Sequence, residues 1–220
     1  MAGPLRLRDM TPSRAREVLT AMPRLLLPAG TLEARGRHLP LGCDTVILEA
    51  LADDLSARTG IPRTPSLPFG AGAGSTDRAP GAASLTRKTL HRLLNELIAA
   101  WEDVAAVQDI TVLTVHATDS HLEALSTIRT AVRVRVIDVF ALPALDALRA
   151  VESGPWHGGE VDTSLLLHLA PELVDRSRLP HTVNASAVRG AAFYQAILTA
   201  VEEHLGAITS GKAPDEATIK

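Results

Sequence analysis

The chain has 220 residues, 22 Lys and Arg against 25 Asp and Glu, a formal charge of −3 and only 3% aromatic residues. That length suits one domain able to bury most of its apolar surface; the core must be aliphatic, and the charge offers no long-range attraction for nucleic acid. One cysteine, Cys43, excludes an internal disulfide and fits a reducing cytoplasm, and no stretch reaches the roughly 20 apolar residues of a membrane span or forms a signal-peptide core after "MAGPLRLRDM".

Thr11 followed by Pro12 predicts a capped helix over residues 11–23 that closes before Pro23. "RLLLPAG" reads as a short buried strand, and "DTVILEALADDLSART" as a helix ending at Gly60. Residues 62–83 are rich in Gly, Pro and Ala and predict an irregular surface segment long enough to serve an active site. A helix over "SLTRKTLHRLLNELIAAWEDV", an interior strand in "DITVLTVHATDSH" and a helix from about Leu122 follow. "VRVRVIDVFAL" is the next strand, and "PALDALRAVE", "LLLHLAPELV" and "SAVRGAAFYQAILTAVEEHLGAI" have helical spacing. Strands alternating with helices predict a three-layer α/β domain over 1–210 with a largely parallel sheet, followed by a polar tail over 211–220. Such sheets carry functional loops at the C-terminal edge of their strands.

Three polar clusters fall near those edges. In "GTLEARGRHLPLGCD", an extended backbone would turn Glu33 and Arg35 to one face, and Asp44 could return to it across the turn. Glu33, Asp44 and His116 together offer two hard oxygen ligands and one imidazole, a set suited to one divalent ion such as zinc or manganese. The plainer alternatives are a Glu33 salt bridge to Arg35 or Arg37, Asp44 as a helix cap, and His116 as a general base or a hydrogen-bonded structural residue. Asp119 and His121 are candidate replacement ligands or local caps. In "WHGGEVDTS", His157, Glu160 and Asp162 are candidates for acid–base work, and Trp156 either packs or covers a planar substrate. Cys43 beside Asp44 is a poor nucleophile, because the carboxylate opposes thiolate formation. "GAGAG" lacks the Lys-Ser/Thr ending of a phosphate-binding loop.

Taken in order, "PAGTLEARGRHLPLGCD", "FGAGAGSTDRAPGAASL", "TVHATD" and "HGGEVDTSLLLHLAPELV" resemble four segments of the creatininase, or creatinine amidohydrolase, family, over about residues 24–205. The resemblance implies a three-layer creatininase-type α/β/α fold, homo-oligomers that are often hexamers, and hydrolysis of cyclic or related C–N bonds in a small substrate. It also implies that Glu33, Asp44 and His116 match the positions holding one ion, with the aspartate bridging to a second. The two remaining second-ion positions are Arg35 and Thr118. An arginine stays protonated and has no lone pair for a cation. The expectations are therefore one divalent ion or none, Arg35 compensating the carboxylates or binding an anionic substrate group, and Arg35, Thr118 and Trp156 as substrate contacts. A non-hydrolytic cyclase, lyase or isomerase in specialised metabolism and a catalytically inactive binding protein stay open as alternatives.

Overall fold

The computed structural model describes residues 3–72, 79–105, 107–116, 118–150 and 157–209. Three parallel strands, β1 (Arg24–Pro28), β2 (Asp109–Thr114) and β3 (Arg133–Asp138), lie in the order β1-β2-β3, with Leu27 opposite Val112 and Val112 opposite Val136. Among the described residues six α-helices surround them: α1 (Pro12–Ala21), α2 (Cys43–Thr59), α3 (Arg87–Ala105), α4 (Asp119–Ser126), α5 (Glu160–Leu169) and α6 (Ala187–Thr209).

Side chains alternate across a strand, so an apolar run feeds two cores at once. Leu26, Leu113 and Ile137 face one layer, where they pack with Ile47, Leu51 and Leu55 of α2, Leu165 and Leu166 of α5, and Ile197 and Val201 of α6. Leu25, Leu27, Ile110 and Val112 face the other, against Leu19 of α1, Leu90, Leu94 and Ile98 of α3 and Leu125 of α4. The result is a three-layer α/β/α arrangement. Each buried aliphatic side chain contributes about 1.5–3 kcal/mol against the entropy of ordering the chain. Helix α6 crosses α5 closely at Gly190, where a Cβ would lie 1.9 Å from the Ser164 carbonyl oxygen, so only glycine fits.

Helix α1 is capped as its sequence predicts, with Thr11 Oγ1 accepting the Arg14 amide, and α2 ends on left-handed Gly60. Other boundaries differ. "PALDALRAVE" forms only a single 3-10 turn at Pro143–Leu145 in its described part. Only Leu142 and Leu145 are buried there, while residues 146–148 face solvent, so no apolar stripe continues the helix. Helix α5 starts at Glu160, earlier than its leucine run suggests, and stops before Pro171, which has no amide to extend it. Helix α4 likewise starts at Asp119. The expected tail over 211–220 lies outside the described residues.

Candidate active site

The chain leaves β1 and β2 at the same edge of the sheet, so the residues just beyond Pro28 and Thr114 converge. Arg35 is at the middle of that convergence and is 1% exposed. Its Nε meets Asp44 Oδ1 at 2.5 Å, Nη2 lies 3.2 Å from Glu33 Oε1 and donates to the Val115 carbonyl at 3.1 Å, and Nη1 lies 3.5 Å from Asp162 Oδ2. Burial works against the guanidinium's charge, but Asp44, Asp162 and Glu33 outweigh it and hold its pKa above the ordinary arginine value.

The carboxylates around it are fixed from outside. Asp44, in the first turn of α2, accepts the Thr31 amide at 3.0 Å and the Thr31 hydroxyl at 2.8 Å on Oδ2. Asp162 accepts the amides of Gly158 at 2.7 Å and Thr163 at 2.8 Å; burial still pushes its pKa up to about 6, against the pull of Arg35 and those amides. Gly158 has φ +69°, and a Cβ there would stand 2.8 Å from the Arg35 carbonyl oxygen, so this turn requires glycine.

On the other side of Glu33 stand two imidazoles. His116 Nδ1 lies 2.9 Å from Glu33 Oε1, and Nε2 lies 2.8 Å from Thr118 Oγ1, whose hydroxyl donates to the Ala71 carbonyl at 3.2 Å. With its hydroxyl proton directed at the Ala71 carbonyl, Thr118 Oγ1 accepts a hydrogen bond from His116 Nε2–H. Nδ1 then faces the Glu33 carboxylate oxygen. His157 Nε2 lies 3.7 Å from the same Glu33 oxygen, and its ring centre is 5.7 Å from that of His116. Glu33 Oε2 is buried with no hydrogen-bond partner among the described residues. One ligand atom from each of Glu33, His116 and His157 falls within 4.8 Å of the others, so these three can hold a single divalent cation. Burial pushes the Glu33 carboxyl up, yet the His116 hydrogen bond and the charges of His116, Arg35 and His157 leave it ionised down to about 2. Burial, reinforced by Arg35, holds the His157 pKa below the ordinary imidazole value, which keeps a lone pair available.

The remaining candidates spread around this centre. His121 is fully buried, with Nδ1 accepting the Ala71 amide at 3.2 Å and Nε2 3.1 Å from Thr114 Oγ1; burial and the neighbouring His116 take its pKa down to about 3. Both of its nitrogens are thus engaged by protein, and its ring stands edge-on to His116 at 5.1 Å. Asp119 is exposed in the first turn of α4. Glu160 and Asp162 are two apart on α5, hence about 200° apart around it. Asp162 turns inward to Arg35, while Glu160 accepts the Ala150 amide and pairs with Arg189 of α6. Trp156 lies outside the described residues.

A cavity of about 430 Å³ opens beside the centre, lined by Arg35, Thr118, His157, Asp138, Phe140 and Arg149 among others. Asp138 is absent from the sequence-based candidates. It ends β3 directly opposite Thr114, and its Oδ1 accepts the Phe140 amide at 3.0 Å. Its only sequence signal is an acidic residue closing an apolar strand.

The fold and the cluster together define an α/β protein with a metal-capable carboxylate–imidazole centre at the C-terminal edge of its sheet. Residues 8–217 match the creatininase family, described as creatinine amidohydrolase, and the chain belongs to it. It is 28% identical over 166 residues to the mycofactocin precursor peptide peptidase of Mycolicibacterium smegmatis, an alignment covering 73% of this chain and 63% of that relative. The match thus spans less than two thirds of that relative's length. Among solved structures, creatinine amidohydrolase (creatininase) superposes with a TM-score of 0.79 at 21% identity, covering 92% of this chain and 97% of the other. A creatininase structure designated Mn gives 0.78 at 20% identity, covering 96% and 100%. At such identities the likeness is one of fold.

Proposed function

We propose that the protein is a divergent, metal-dependent amidohydrolase that cleaves a cyclic amide or related C–N bond in a small substrate, using one divalent ion, zinc or manganese. The observation that carries this reading is the meeting of Glu33, His116 and His157 within 4.8 Å of one another, beside a cavity and beneath a buried carboxylate oxygen with no partner among the described residues. A bound divalent cation supplies Lewis acidity toward the carbonyl of a scissile amide. Glu33 and His116 are the buried, fixed ligands, and His157 is the half-buried one that also reaches the cavity. Arg35 serves inside the centre as counter-ion to Glu33, Asp44 and Asp162, and Asp44 serves by holding Arg35. Thr118 orients His116 and borders the substrate.

The name of the mycobacterial relative, a precursor peptide peptidase, extends the candidate substrates to a peptide bond. Homo-oligomeric assembly and a cytoplasmic setting complete the reading; among the described residues no helix is long and apolar enough to cross a membrane. The test is turnover of creatinine, hydantoins and short peptides by protein stripped with a chelator and then reloaded. Activity should vanish on stripping and return with one equivalent of zinc or manganese per chain. Activity that survives complete removal of metal refutes the proposal. If His157→Ala keeps its metal but loses turnover, His157 moves a proton and is not a ligand.

A further inference from the structure

The reading of the cavity as the substrate site leaves open what kind of molecule it selects, and the charges on its wall bear on that. Arg35 borders the cavity, but its guanidinium is buried among three carboxylates and a carbonyl, so its charge is already matched. Arg149 donates to the Phe140 carbonyl and lies 3.5 Å from Asp146. Asp138 stands differently. Its carboxyl is half-buried at the end of β3, accepts the Phe140 amide on Oδ1 with the Ala141 amide also directed at it, and shares the cavity wall with the apolar Val115, Phe140 and Ala141 as well as with Arg35, Thr118, Arg149 and His157.

We propose that Asp138 is the specificity-determining carboxylate of this cavity and receives a cationic nitrogen group, an ammonium or amidinium, on the substrate whose C–N bond lies against His157. A carboxylate set in a largely apolar wall gains most from a charge-assisted N–H donor. A neutral or anionic molecule of the same shape would desolvate it without supplying a cationic partner, which is a penalty against that ligand. The pairing of Thr114 with Asp138 across the sheet puts this carboxylate one strand away from His116 and on the same edge. A substrate held there would therefore span from Asp138 to the centre. The proposal rests on the amidohydrolase reading only in taking this cavity as the place where substrate sits.

The test is equilibrium binding, by calorimetry on the metal-loaded protein, of two probes of one shape and different charge: benzylamine and benzyl alcohol. Benzylamine should bind about 10-fold or more tightly than benzyl alcohol. Asp138→Asn should remove that preference, with little change in benzyl alcohol binding and none in metal content. The ranking in the unmodified protein stands even if the variant fails to fold. Benzyl alcohol binding as tightly as benzylamine, or no benzylamine binding at all, overturns the proposal. So does an amine preference untouched by Asp138→Asn, since it would belong to the cation centre. Binding needs no turnover: a protein that hydrolyses no amide yet ranks the probes this way loses the hydrolase reading and keeps the role of Asp138.

Discussion

Among the described residues two arginines are 1% exposed, Arg35 and Arg63, and their surroundings set a functional centre apart from a structural tie. Arg63 donates to Asp53 at 2.7 Å and to the Thr64 carbonyl, and lies 3.6 Å from Glu49. Asp53 is shared with Arg6, which binds it through two hydrogen bonds at 2.7 and 2.8 Å, and both Asp53 and Glu49 reach solvent. Cations and anions there are evenly matched, water helps, and the pairs tie the N-terminal segment to the flank of β1, where Arg63 bridges Leu26. Arg35 instead faces three carboxylates that water does not reach, with two imidazoles and a cavity next to them. A dry cluster with more anions than cations costs stability unless another cation joins it. A fold retains such a cluster where the cation has work to do.

The contrast predicts effects of different size and kind. The largest concerns stability: Arg35→Met should cost about 3–5 kcal/mol by stranding buried carboxylates, whereas Arg63→Met should cost about 1–3 kcal/mol because its partners can turn to water. Urea unfolding measures both, and equal losses would erase the distinction. Next comes the metal. Glu33→Gln or His116→Ala should drop metal content from about one per chain to near zero and cut turnover by about 100-fold or more, while Arg63→Met leaves both unchanged. Elemental analysis beside a turnover assay separates the two arginines on this count.

A third effect is pH-dependent. His121 titrates near 3 in the fold against 6.5 when unfolded, so below 6.5 the unfolded chain takes up a proton that the native state refuses. Its contribution is complete above about pH 6.5 and is lost as pH falls toward 3. Asp162 works the opposite way: its folded pKa of about 6 exceeds the ordinary 3.8, so it favours the fold below 3.8 and loses that contribution as pH rises through 6. The urea midpoint of the metal-free protein should thus fall on acidification less steeply in His121→Gln than in the parent. An unchanged slope would mean that His121 is not held neutral. The smallest effect is expected at Asp53→Asn, about 1 kcal/mol of stability with metal content unaltered.

Much of the fold is legible in the chain because its signals are local. "LLLP" and "ITVL" are largely apolar runs, which a sheet covered on both faces can bury, and Thr11 and Gly60 punctuate their helices by chemistry that acts within a turn. The 3-10 turn after β3 is not legible, since Leu142 and Leu145 carry helical spacing although residues 146–148 face solvent. At the site, the residue types are readable and their partners are not. Glu33, Asp44 and His116 stand out as a ligand set, but the structure engages Asp44 with Thr31 and Arg35 and brings His157 to Glu33 and His116. Those pairings depend on where α2 and the turn before α5 dock, which no spacing encodes. Asp138 escapes notice for a related reason: an aspartate at a strand end is commonplace until the register places it opposite Thr114.

Anomalous diffraction from crystals grown with zinc or manganese tests the central claim most directly. The expected result is one ion per chain, bound by Glu33, His116 and His157, with Arg35 still seated on Asp44. Two ions, or one ion on Asp44 with Arg35 displaced, would contradict it.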